Sequence, residues 1–167
     1  MIHYEWADDP RFLLYSQDAG GDENWHLYRV DLDAPDAPAV DLTPFPGARV
    51  MGLDLPVGRP GKAILQINSR KIDEIDLHEL DIATGELTLL AENPGHVHGW
   101  LCTPGGELFA RTLTDDGDIA LSRWDGEAGE LRPVVVCDGA DYPLGIHPME
   151  VTPSANKNAW SRCIGTT

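Results

Sequence analysis

The sequence predicts an all-β chain assembled from repeated four-stranded sheets, and three observations predict it. Apolar runs of about five to eight residues, rich in Val, Ile, Leu, Tyr and Trp, are separated throughout by Gly, Pro, Asp and Asn. No stretch sustains the helical period of 3.6 residues. The same order of four runs returns at an interval of roughly fifty residues.

The first repeat opens on "IHYEWADDP", an apolar run closed by a turn, and continues through "RFLLYSQDAGGDENWHLYRVDL" to "PAVDLTP". Strands are expected near 2–6, 11–17, 25–32 and 38–42. In "WHLYRVDL", Trp25, Leu27, Tyr28 and Val30 set against His26, Arg29 and Asp31 give one apolar face, with a slip at Leu27 and Tyr28 that reads as a bulge. The second repeat, from "RVMGLDLPVGRPG" through "KAILQINSRKIDEIDLHELDIATG" to "ELTLLAENPG", predicts strands at 49–55, 62–68, 75–82 and 87–91. The third, from "HVHGWLCTPGG" through "ELFARTLTDDGDIALSRWDG" to "ELRPVVVCDG", predicts 96–102, 107–113, 119–125 and 131–136. A fourth begins at "LGIHPMEVTPSAN", with strands at 145–151 and 157–163. Trp6, Leu55, Leu101 and Val151 mark the level at which each opening run meets its turn.

Gly and Asn tolerate positive φ and Pro cannot donate into a ladder, so the punctuating residues are those that tight turns need. Four strands recurring at this interval are the signature of a β-propeller, each repeat a blade that buries its faces against its neighbours. A β-sandwich of a dozen strands has no reason to repeat its turn chemistry at one interval. The expectation is one partial propeller domain over 1–167, with about three and a half blades at 2–42, 49–91 and 96–136 and a half blade at 145–163. An incomplete ring leaves an open edge and an uncovered blade face. The chain is therefore expected either to pair with another copy or chain, or to be a truncated piece of something longer.

Lys and Arg number 12 against 28 Asp and Glu, a formal charge of −16, which repels a phosphate backbone or an anionic membrane. No nucleic acid or membrane partner is expected. "MIHYEWADDP" has no basic segment followed by an apolar core, and no run of about eighteen apolar residues occurs, so the chain reads as cytoplasmic. Cys102, Cys137 and Cys163 are odd in number and not in C-x-x-C spacing, and read as small apolar residues.

The segments "GDENWHLYRVDL", "DLTPFPGARV", "TGELTLLAENPG" and "RTLTDDGDIALSRWDG" resemble the N-terminal propeller of the prolyl oligopeptidase family of serine peptidases, in its acylaminoacyl-peptidase-like branch. The likeness runs over residues 4 to 153, and the blades also look like TolB-type repeats. It implies a non-catalytic cap over an α/β-hydrolase domain, admitting short peptides. The residues themselves supply no hydrolase machinery: none of Ser16, Ser69, Ser122, Ser154 and Ser161 lies in G-x-S-x-G. The chain alone is expected to be inactive, with no catalytic residue.

His96 and His98 in "PGHVHGW" alternate on a strand and point to one side, but sequence spacing supplies no third metal ligand. "QDAGGDEN" and "LTDDGD" do not match a calcium loop, and their residues are those of hairpin turns. Phosphate-binding glycine loops are absent, so no cofactor and no metal are expected. Trp25, Trp100, Trp124 and Trp160 are expected to pack between blades. "INSRK" is the one small basic turn in an acidic chain, and Asn68, Arg70 and Lys71 are the candidates for contact with a substrate carboxylate or a neighbouring domain, against the alternative of a solvated turn. Two functions follow: a peptidase's gating propeller segment, partnered by a hydrolase domain or a peptide, or an independent interaction module that closes by self-association.

Overall fold

A computed structural model describes residues 3–56, 58–103 and 105–142. Among these, twelve strands form three four-stranded antiparallel meanders. The first sheet holds β1 (His3–Trp6), β2 (Phe12–Gln17), β3 (His26–Asp31) and β4 (Val40–Asp41) in that order. The second holds β5 (Val50–Asp54), β6 (Lys62–Lys71), β7 (Glu74–Asp81) and β8 (Leu87–Ala91). The third holds β9 (Val97–Cys102), β10 (Leu108–Leu113), β11 (Ile119–Asp125) and β12 (Glu130–Cys137). Three successive four-stranded meanders are blades, and the fold is a partial β-propeller. The expected half blade at 145–163 lies outside the described residues. Among the described residues no helix is long and apolar enough to cross a membrane.

Recurring turn chemistry sets the strand lengths. Asp81 and Asp125 each end a strand, and their carbonyls accept from the N–H of Gly85 and Gly129 at 2.8 Å. Both glycines have positive φ, +79° and +67°, which a side chain would resist. The Asp81 carboxylate accepts from the Thr84 N–H at 2.8 Å and hydroxyl at 3.0 Å, and from Lys62 Nζ at 3.0 Å. Those bonds, the backbone one first, pull its pKa down to about 2.

Two details differ from the sequence reading. The register of β2 with β3 runs unbroken from Phe12↔Asp31 to Gln17↔His26, so there is no bulge at Leu27 and Tyr28. Both faces of this strand carry an apolar or aromatic side chain: Leu27 is fully buried, while Tyr28 turns the other way and stacks on Tyr15 with centroids 5.1 Å apart. The pairing Cys102↔Leu108 also puts Cys102, rather than Leu101, level with Trp6, which pairs with Leu13.

The chain divides into two compact units, one over residues 1–95 and one from residue 96 onward. In the first, Phe12, Leu14, Leu27 and Leu42 of the first sheet share a core with Ala63, Leu65, Leu80 and Ile82 of the second. Each fully buried leucine contributes on the order of 2 kcal/mol of apolar transfer. Arg29 stitches the same seam, its guanidinium donating to the carbonyls of Ile82 at 2.7 Å and Ala83 while lying over the Phe12 ring. In the second unit, Trp100, Phe109, Ala110, Ala120 and Leu121 are buried.

The tryptophans do not follow one rule. Trp100 and Trp124 meet edge to face within a single sheet, with centroids 5.6 Å apart. They stand on β9 and β11, on either side of β10, where Trp100 pairs with Ala110. Trp25 is half-buried beside β3, and Trp160 lies outside the described residues. Cys137 is buried and Cys102 half-buried, and Cys163 lies outside the described residues.

Candidate functional site

Among the described residues the β6–β7 hairpin is the longest, and its far end carries the basic turn. Pairing is regular from Lys62↔Asp81 to Ile67↔Asp76 and resumes at Lys71↔Glu74, so three residues of β6 stand against Ile75 alone. The bulge needs substitutes for lost ladder bonds. Asn68 provides them: its Oδ1 accepts from the Arg49 N–H at 2.6 Å, and its Nδ2 donates to the Ile72 carbonyl at 2.8 Å. Asn68 is 8% exposed, so its amide serves the backbone rather than a ligand.

Arg70, next along, forms a two-pronged pair with Asp76, Nε to Oδ2 and Nη2 to Oδ1, each 2.9 Å. The same Nη2 reaches Glu74 at 2.7 Å and the Asn93 carbonyl at 3.3 Å. Asp76 is 1% exposed and also accepts from the Asn93 N–H at 2.8 Å. A carboxylate so buried is stable only when its lone pairs are filled, and Arg70 and Asn93 fill them. Lys71 pairs with Glu74. Hydrogen bonds from Lys71 and then Arg70 hold the Glu74 carboxyl below the ordinary carboxylate range, and Asp76 and then Glu74 push the Arg70 pKa up.

The two cations are thus already matched by Glu74 and Asp76. As a group the cluster locks the hairpin end, and an incoming carboxylate would have to displace an internal one. The exposed side chains at the tip are Lys71, paired with Glu74, and beside it Ile72, which is 66% exposed. Sequence reading found Asn68, Arg70 and Lys71 but missed Asp76, Asn93 and Ile72. An Arg and an Asp six residues apart around a hairpin turn was the available signal.

The other candidates are dispersed. His96 and His98 are both exposed and flank the buried Val97. In the β2–β3 turn, Asp22 spends its carboxylate on the N–H groups of Ala19 and Asn24 at 3.2 and 3.1 Å and on the Asn24 amide. In the β10–β11 turn, Asp118 accepts from the Gly139 N–H at 3.3 Å. Among the described residues, no group of three or more His, Cys, Asp and Glu is placed to hold a metal. His78 is set apart by one buried ring atom, Nδ1, without a hydrogen-bond partner among the described residues. Burial lowers its pKa, opposed by the Asp76 charge.

No family model matches the chain. A dipeptidyl aminopeptidase, BIII, of Pseudoxanthomonas mexicana is 38% identical over 121 residues, or 72% of this chain, and the match spans only 17% of that protein's length. Puromycin hydrolase superposes over 81% of this chain and 22% of its own, with a TM-score of 0.56 at 18% identity. An oligogalacturonate lyase of Vibrio parahaemolyticus superposes as well, TM-score 0.56 and 18% identity, over 78% of this chain and 38% of its own. A hydrolase and a lyase sharing these sheets shows that the blades fix the fold and leave the chemistry open. The sequence likeness to the aminopeptidase supplies what the fold cannot, and it makes this chain a β-propeller segment of the prolyl oligopeptidase family.

Proposed function

We propose that these blades are part of a non-catalytic propeller that gates access to the hydrolase domain of a serine peptidase acting on short peptides. The observation that carries the reading is the 38% identity to a dipeptidyl aminopeptidase across 72% of the chain. It fits a sequence in which no serine lies in G-x-S-x-G. Within this reading the β6–β7 tip is a domain contact. Arg70 and Asn68 hold the hairpin end rigid, and Lys71 and Ile72 present a cation and an apolar side chain outward.

The test is an exchange. Residues 3–142 replace the matching segment of the aminopeptidase, and release of dipeptides is compared with cleavage of longer peptides. The expected result is dipeptide release with long peptides still excluded, and none by this chain alone. A chimera that folds and cleaves long peptides as fast as dipeptides overturns the reading.

A further inference from the structure

The first strands of the second and third sheets break their pairing at one and the same place. Register fixes the correspondence: Phe12 pairs with Asp31 as Lys62 pairs with Asp81, and Asp81 and Asp125 each accept from a turn glycine four residues on. Gln66 pairs with Leu77 and Arg111 with Leu121, each four residues before that aspartate, so Gln66 and Arg111 are equivalent. On their other side they pair with Gly52 and Gly99. The next residues, Ile67 and Thr112, pair with Val50 and Val97, which leaves Met51 and His98 as one extra residue each. Both are exposed, Met51 at 53%. The counterpart in the first sheet, Ile2, lies outside the described residues.

A bulge at any point of a strand adds twist, so twist alone does not choose its position. Recurrence at one register position, with a glycine following each time, fixes which side chain is turned out. In the second sheet that glycine has a steric reason. A Cβ on Gly52 would come within 2.9 Å of the Gln66 amide nitrogen, because the Gln66 side chain lies against the strand there. β5 and β9 are also edge strands of their sheets. In a propeller the first strand of each blade borders the central channel, and adjoining blades cover the faces of a sheet rather than this edge. The edge stays open in a complete ring.

We propose that Met51 and His98 are specificity-determining contacts for the peptide admitted by the gate, each held out by its bulge. The inference rests on the gating reading and deepens it by naming the residues that meet the substrate. Met51 brings a flexible thioether next in sequence to the glycine beneath Gln66, whose amide both donates and accepts. In the third sheet an imidazole stands next in sequence to the glycine paired with Arg111. Adaptable groups of this kind re-pack around different side chains, which suits sorting by length rather than by sequence.

The test uses the chimera in which residues 3–142 replace the matching segment of the aminopeptidase, with a dipeptide anilide and a tetrapeptide as substrates. A residue met by the peptide on its way in acts on kcat/KM and leaves kcat in place. Met51→Trp is expected to lower kcat/KM about tenfold for the tetrapeptide and less than about twofold for the anilide, with kcat unchanged. His98→Trp should do the same from the third sheet. Leu89→Trp, 49% exposed on β8 at the other edge of the second sheet, should change neither rate. All three positions are exposed, so each variant should keep the circular dichroism of the parent chimera. The inference is overturned if either Met51→Trp or His98→Trp leaves the tetrapeptide-to-anilide ratio unmoved, if the fall lies in kcat, or if Leu89→Trp has an equal effect. In each of those cases exclusion of long peptides by the parent chimera still stands. A parent chimera that cleaves long peptides as fast as dipeptides ends the gating reading, and this inference with it.

Discussion

The first and second sheets share one strand order and one register, yet they treat the same positions in opposite ways. Leu65 and Tyr15 are equivalent, and so are Leu80 and Val30, but the first of each pair is sealed in the core and the second is not. The hairpin ends diverge as well. The β2–β3 turn spans residues 18–25 and is held by carboxylates bonding to backbone N–H groups, whereas β6 and β7 turn within 72–73 and are held by Arg70, Glu74 and Asp76. The ladder is the shared part, and what lies on its faces and ends is where each blade becomes particular.

The largest effect should separate the two faces. Leu65→Ala removes a fully buried side chain between the sheets and should cost about 3 kcal/mol of unfolding free energy in urea. Tyr15→Ala, at the equivalent position, should cost less than about half of that, because its ring is half-buried. Equal losses would mean that the outer face is as well covered as the inner one.

The hairpin ends should differ next. Asp76→Ala leaves Arg70 without its main partner and strands the Asn93 N–H in a buried place, at a cost of about 3 kcal/mol. Asp22→Ala, which opens a solvent-exposed turn, should lower Tm only slightly. If the two substitutions lowered Tm alike, the charged lock would have no more structural weight than an ordinary turn.

Most of this architecture was legible in the sequence because strand and turn signals are local. Gly, Asn and Asp at fixed offsets fix where chains reverse, and Asp81 with Gly85 and Asp125 with Gly129 show the same device twice. The site was less legible. Arg70 reads as a free cation until the hairpin folds back and brings Asp76 beneath it, and Asn68 reads as a turn residue until the bulge hands it two backbone groups. The supposed bulge at Leu27 and Tyr28 failed for the opposite reason: a large apolar or aromatic side chain on each face breaks alternation without breaking register.

A smaller effect concerns pH and sets His78 against Tyr28, which stands at the same level of the first sheet. Burial lowers the His78 pKa in the folded chain from an unfolded value near 6.5. Below that value the unfolded chain takes up a proton that the folded chain refuses, so stability falls as the pH drops from about 6.5 toward the lowered folded value. Thermal melts of the wild type should decline over that range. His78→Leu should flatten the decline and also remove the unpartnered Nδ1. A variant that declines as steeply as the wild type would assign the loss to another group.

The smallest expected effect lies on the surface. Arg11 and Asp31 make a well-formed pair, Nε to Oδ1 at 2.8 Å and Nη2 to Oδ2 at 2.6 Å, which outwardly matches the pair of Arg70 with Asp76. The difference is burial: the Asp31 side chain is 21% exposed and that of Arg11 47%, whereas Asp76 is at 1%. Water and salt can replace what Arg11 gives, so Arg11→Ala should leave Tm unchanged within error. Arg70→Ala should lower it clearly, because water cannot reach Asp76 to do the same. A comparable drop in both would show that geometry rather than burial decides the worth of an ion pair in these blades.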